Sequence, residues 1–307
     1  MRSRGLVPGI PRGLVKAYTT PLFVVGLVGA CLLGSSATGR TDEFGSGPHV
    51  FTIDFVHVGD PGNPADASGY GSVPYEFRMG THEISADAVL KAAASGLDNV
   101  TAASNWTGNR PAAGLTWYEA AAFVNWLNTS TGHRAAYNLT WNGSDWVLEL
   151  WSSQEAWQAG GENRFRHKDA RYFLPSENEW FKAAYYSPDA SSYSIYATGG
   201  NIEPIAVASG TDADTAVYAQ PFAQGTAEVT LAGGLSPFGT MGQSGNLWEW
   251  METAFDGIND SSAEDRPIRG GDLVADPVSL SSSTRIDLAP TYSGADTGFR
   301  VGSVPGQ

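Results

Sequence analysis

The sequence predicts an α+β chain with sparse regular structure, two main helices and small antiparallel sheets. Three observations predict it. Two capping boxes, Thr116-Trp117-Tyr118-Glu119 and Ser176-Glu177-Asn178-Glu179, each open a stretch with apolar residues at helical spacing. Short runs elsewhere alternate apolar and polar residues with period two. Residues 191–234 are rich in Gly, Ala, Ser and Thr with little periodicity, so ordered loops fill more of the chain than is usual for a globular domain.

Taken in order, Phe51, Ile53 and Phe55 alternate with Thr52 and Asp54, the pattern of a half-buried strand. After the breaker Asp60-Pro61-Gly62-Asn63-Pro64, Tyr75, Phe77 and Met79 give a second strand that ends at Gly80 and pairs antiparallel with the first. Ser85 caps a short helix over residues 86–94 whose apolar members include Val89, Leu90 and Ala93. The helix behind Thr116 carries Trp117, Ala120, Ala121, Phe123, Val124 and Leu127 and ends near Asn128. Asn142-Gly143, flanked by Leu139-Thr140-Trp141 and Trp146-Val147-Leu148, signals a hairpin. The second main helix presents Trp180, Ala183 and Ala184 inward and stops before Pro188. Trp151 and Trp157 fall in a stretch with no assignable element.

The chain of 307 residues, 42% apolar, is long enough for a sizeable core. A net charge of −14 argues against nucleic acid and anionic membrane surfaces as partners. Arg2, Arg4, Arg12 and Lys16 precede the apolar run Leu22-Phe23-Val24-Val25-Gly26-Leu27-Val28, which reads as a signal peptide over residues 1–37. Val28-Gly29-Ala30-Cys31 offers a second reading, in which Cys31 becomes the lipidated first residue of a lipoprotein. Either way the protein is secreted or held in the cell envelope, meeting a membrane only through the signal or a lipid on Cys31. A polar linker is expected over residues 38–48 and a single domain over 49–307. Cys31 is the only cysteine, so a chain cut after residue 37 would hold no thiol and no disulfide.

The chain is organised around Ser244-Gly245-Asn246-Leu247-Trp248-Glu249-Trp250. Extended after a Gly-Asn turn, it shows both tryptophans on one face and Glu249 on the other. A buried carboxylate there needs a cation or an arginine.

Together with that stretch, Leu115-Thr116-Trp117-Tyr118-Glu119-Ala120-Ala121, Tyr172-Phe173-Leu174-Pro175-Ser176-Glu177-Asn178-Glu179-Trp180, Arg269-Gly270-Gly271 and Gly298-Phe299-Arg300-Val301 follow one another in a telling order. Over about residues 50–303 the chain resembles the formylglycine-generating enzyme family, the sulfatase-modifying factor domain, and is most similar to its secreted bacterial members. The resemblance implies a fold related to C-type lectins, with bound calcium. Active members oxidise a sulfatase cysteine to formylglycine using copper held by two cysteines, whose positions fall here on Leu280 and Arg285. Soft copper needs thiolates, which neither side chain supplies, so no copper and no such oxidase chemistry are expected.

For calcium the resemblance implies Gly245, Leu247 and Glu249 as ligands, with the further side-chain oxygen lost because Gly242 stands in its place. The competing reading of Glu249 is an ion pair with Arg269 or Arg300. A second branch of the family uses iron held by histidines, but His49, His57, His82, His133 and His167 show no ligand spacing. The expected function is a non-catalytic binding or cell-surface module whose partner is a protein or glycan ligand. The alternative is an oxidoreductase-type enzyme in which Asp276, Asp287 and Arg285 replace the metal. Ten tryptophans could add a sugar-stacking surface, although burial in the core is their ordinary role.

Overall fold

The computed structural model describes residues 39–100 and 106–305. The signal-peptide and lipidation readings, with Cys31, lie outside the described residues. Along the chain run β1 (Arg40–Phe44), β2 (Phe51–Val58), β3 (Phe77–Gly80), α1 (Ala86–Ala94), α2 (Trp117–Ser130), β4 (Asn138–Trp141) and β5 (Trp146–Glu149). Then come β6 (Ala156–Trp157), β7 (Asn163–His167), β8 (Tyr172–Phe173), α3 (Glu177–Tyr185), β9 (Tyr186–Ser187) and β10 (Ser192–Tyr193). The chain closes with β11 (Ile205–Ala206), β12 (Thr215–Ala216), β13 (Trp248–Trp250), β14 (Arg266–Arg269), β15 (Ile286–Leu288), β16 (Thr297–Gly298) and β17 (Gly302–Ser303). No helix among the described residues is long and apolar enough to cross a membrane.

Both capping boxes form as expected: the Thr116 and Ser176 hydroxyls accept from the amides of Glu119 and Glu179, whose carboxylates return to the cap amides. The short helix also starts where Ser85 caps it, but its inner side is Ala86, Ala88, Val89 and Ala92. Leu90, an apolar member of that helix, is 59% exposed, because helical period places it about 100° around the axis from Val89.

A five-stranded antiparallel sheet runs β1-β2-β3-β17-β8 and seats β17, from near residue 303, between β3 and β8. Its edge is a correction to the sequence reading. Arg40–Phe44, expected in a linker, pairs with β2 from Arg40 opposite Phe55 to Phe44 opposite Phe51. The segment reads as polar, yet Phe44 is buried and Asp42 is held by Arg78 at 2.6 Å and by the Tyr172 hydroxyl at 2.8 Å. A four-stranded sheet runs β15-β14-β13-β16 and includes one parallel pair, β13 with β16, where antiparallel pairing was expected throughout. The β4–β5 hairpin forms with Trp141 opposite Trp146. Phe51, Phe55, Trp117, Phe123, Tyr137, Trp250 and Phe299 share the main core between the larger sheet and α2. Trp151, unplaced from sequence, packs edge-on to His167 and donates to the Ala136 carbonyl at 2.9 Å.

Candidate functional site

The Gly-Asn turn before β13 needs its residue types. Gly245 sits at φ +87, and a Cβ there would lie 2.2 Å from the Val217 carbonyl oxygen. Asn246, at φ +68, accepts from the Ala227 amide at 2.9 Å and donates to Glu83 at 2.6 Å. Beyond the turn Trp248 and Trp250 enter the main core and Glu249 points the other way, as the alternation requires.

Glu249 is fully buried and bidentate with Arg300, Nη2 to Oε1 at 2.5 Å and Nε to Oε2 at 2.6 Å. Trp180 Nε1 donates to Oε2 at 2.7 Å. The guanidinium's other donors reach the carbonyls of Gly80 and Met241 at 3.0 and 2.8 Å. A buried pair with every group satisfied is the form that persists. Arg269, although opposite Glu249 in the β13–β14 register, turns to Glu177 instead.

This arrangement does not match the calcium donors that the resemblance implies at Gly245, Leu247 and Glu249. The cation facing Glu249 is Arg300, and Gly242 supplies no oxygen. In its place stands the carboxylate of Glu83, 3.1 Å from where a Gly242 Cβ would be, taking hydrogen bonds from Asn246 and the Leu247 backbone. The Asn246 side chain and the Leu247 amide thus turn their donors toward Glu83. Burial, followed by the Glu249 charge, pushes Glu83 well above the usual carboxylate range.

Beside this pair, burial and then the Arg300 charge lower His82 from 6.5 to about 4. Between those values the unfolded chain binds a proton that the folded chain does not, so stability rises with pH across that window and is lost as pH falls through it. His82→Gln is expected to flatten the urea midpoint from pH 6.5 to 4 relative to wild type, by up to about 1.4 kcal/mol per pH unit. An unchanged slope would show that His82 titrates normally.

Leu280, one expected copper position, is fully buried in a cluster with Ala216 and Tyr218. At the other, Arg285 Nε and Nη2 donate to the two Glu177 oxygens at 2.8 and 2.9 Å, and Nη2 also reaches the Phe255 carbonyl at 2.7 Å. Its guanidinium lies over the Phe255 ring at 3.7 Å. Glu177 also accepts from Arg269 Nε at 2.8 Å, and Arg269 Nη1 ties the Ser282 and Thr284 carbonyls at 2.9 Å each. An Arg269–Glu177–Arg285 triad thus holds one of the two expected copper positions, that of Arg285. These side chains do not fit copper. Asp276, offered in the alternative, gives its carboxylate to the Ser279 amide and hydroxyl at 2.9 and 2.8 Å, and Asp287 lies exposed on β15. Among the described residues no group of three or more His, Cys, Asp or Glu could hold a metal ion.

A second buried charge network was not foreseen. Arg166 on β7 binds Glu252 through Nε and Nη2, the closest contact 2.7 Å, and grips Glu179 through Nη1 and Nη2 at 2.9 and 2.7 Å. Tyr75 donates to Glu179 at 2.7 Å and Tyr137 to Glu252 at 2.9 Å, while Arg166 stacks 3.6 Å over Phe173. Burial would raise Glu179, but Arg166's charge and hydrogen bonds bring it below the usual range; burial dominates at Glu252 and raises it. Glu179 was legible only as a capping residue. Arg166 lies 86 positions from Glu252, and no local pattern links them.

Beside this network lies a cavity of about 180 Å³ with Tyr75, Trp157, Asn163 and Asn259 in its wall. A second, of about 300 Å³, is lined by Tyr70, Glu177, Phe255 and Asp256. They share Asn178, Thr253 and Gly257, so one polar groove passes the triad.

Three solved structures share the fold. Treponema denticola variable protein 1 superposes with a TM-score of 0.60 at 18% identity, covering 87% of this chain and 99% of its own. CarF gives 0.56 at 19% identity, covering 83% and 99%. PvdO from Pseudomonas aeruginosa gives 0.50 at 16% identity, covering 86% and 98%. Among curated proteins none matches the chain. Residues 69–303 match the sulfatase-modifying factor enzyme 1-like domain, and the chain belongs to that family.

Proposed function

We propose that this chain is a non-catalytic member of its family, a secreted or envelope-held module that binds a protein or glycan ligand. The observation that carries the reading is the Arg269–Glu177–Arg285 triad. Where the family's copper chemistry requires two thiolates, this chain carries, at the positions the resemblance implies, a buried leucine and an arginine whose Nε and Nη2 are engaged by Glu177 and the Phe255 carbonyl. With Asp276 engaged at Ser279, nothing favours the replacement enzyme. Calcium is not needed in this reading, because Arg300 already neutralises Glu249. The polar groove beside the triad is wide enough to hold part of a ligand. Release, or anchoring through Cys31, puts that surface outside the cytoplasm.

The test is turnover. Copper-loaded protein is incubated with a sulfatase-type cysteine peptide under oxygen, and the peptide is followed by mass spectrometry. The peptide is expected to keep its thiol, at the rate of a copper-only control. Conversion to the aldehyde above that control would overturn the non-catalytic reading.

A further inference from the structure

The largest cavity described on the molecule, about 430 Å³, shares no lining residue with the groove beside the triad. Its wall includes Trp141 and Trp146 from the hairpin, Tyr118 and Thr116 from the start of α2, Asp145 and Thr291. We propose that this cavity is a binding site for a neutral saccharide.

The argument begins with the tryptophans. They stand directly opposite one another in the β4–β5 register, ring centroids 5.3 Å apart at 64°. Trp146 packs partly against the main core, whereas Trp141 remains 39% exposed at the hairpin tip. An indole in that position presents an apolar face to the cavity at little further ordering cost. The tip itself is fixed: Asn142 Oδ1 accepts from the amides of Ser144 and Asp145 at 3.0 and 2.8 Å. Trp141 is therefore held on a braced loop.

The chemistry of the wall selects the ligand. A pyranose has an apolar C–H face and a rim of hydroxyls, which suits an exposed indole flanked by the Asp145 carboxylate and the Thr291 hydroxyl. Asp145 can accept from sugar hydroxyls beside the bond it takes from Ser144 at 2.7 Å. The cavity falls in the size range of small-ligand pockets, which run to roughly 300–1,000 Å³. No basic side chain lines it and the chain carries a net charge of −14, so an anionic ligand is disfavoured. A quaternary ammonium would need rings closing around it within about 6 Å. Here the two indoles meet at 64° and form an open corner rather than a cage.

This inference rests on the binding-module reading only in requiring a ligand at the surface. Copper-dependent turnover would sink that reading and leave this site standing. The experiment uses the full-length protein on an array of neutral gluco- and galacto-oligosaccharides, with sulfated oligosaccharides and phosphocholine as controls. Titration of the best neutral binder follows by calorimetry and tryptophan fluorescence. The expected result is retention of a neutral oligosaccharide, weakened at least about tenfold in Trp141→Ala and measurably in Asp145→Ala, with the urea midpoint of Trp141→Ala close to wild type. Retention of only the anionic or the choline probe would overturn the proposal. So would no retention at millimolar sugar, or neutral-sugar binding that both variants leave unchanged.

Discussion

Arg300→Met is expected to destabilise the protein by about 3–5 kcal/mol, the cost of stripping one partner from a buried ion pair. Glu249 would be left fully buried with only Trp180 donating to it, and Glu83 would lose the nearby positive charge that opposes the rise of its pKa. The carbonyls of Gly80 and Met241 would also lose their donor. Whole domains are stable by only about 5–15 kcal/mol, so the variant should unfold at much lower urea or not accumulate folded at all. Adding Glu249→Gln tests the cause. Glutamine removes the uncompensated charge and keeps an oxygen for Trp180, so the double variant should recover a large part of the loss. If urea denaturation shows the double variant to be the sum of the two single changes, the pair is not the source of the effect.

Arg166→Met should cost at least as much. A single guanidinium there serves two fully buried carboxylates, Glu179 and Glu252, and with it gone Tyr75 and Tyr137 are left donating to charges with no counterion. Its stacking on Phe173 and Trp157 is lost as well. Because Glu179 closes the α3 capping box, the loss reaches the helix that carries Glu177. The expected outcome is failure to fold at neutral pH, read by near-ultraviolet circular dichroism. Arg166→Lys should retain structure but lose several kcal/mol, since an ammonium cannot fork to both carboxylates. A folded Arg166→Met with a near-native midpoint would contradict this account of the network.

The parts of this fold that were legible in the sequence are those set by neighbours along the chain. Both capping boxes, the Ser85 cap and the hairpin at Asn142-Gly143 rest on residues within a few positions of each other, and each element begins where its signal lies. The alternation around Glu249 was equally local and gave its direction correctly. Its partner was legible only as a choice between Arg269 and Arg300, and the structure selects Arg300. Cross-strand register places Arg269 opposite Glu249, and only the fold reveals that Arg269 turns to Glu177 while Arg300 arrives from the far end of the chain. β1 was hidden for a related reason. Asp42 in a polar run reads as solvated until Arg78 and Tyr172, from two other strands, close over it. Glu83 meets Asn246 across 163 positions, beyond any spacing rule. At the candidate site, Leu280 and Arg285 could be singled out only through the resemblance, and no local pattern announces the triad that Arg285 forms with Glu177 and Arg269.

The copper content of the purified protein tests most directly the proposal that the Arg269–Glu177–Arg285 triad stands where the family's copper would bind. After anaerobic loading with copper(I) and desalting, inductively coupled plasma mass spectrometry should find copper far below one ion per chain. It should find the same for Arg285→Ala, because removing the arginine creates no thiolate. Close to one copper per chain in the wild type, lost in Arg285→Ala, would contradict the account and make this site a metal centre of a different kind.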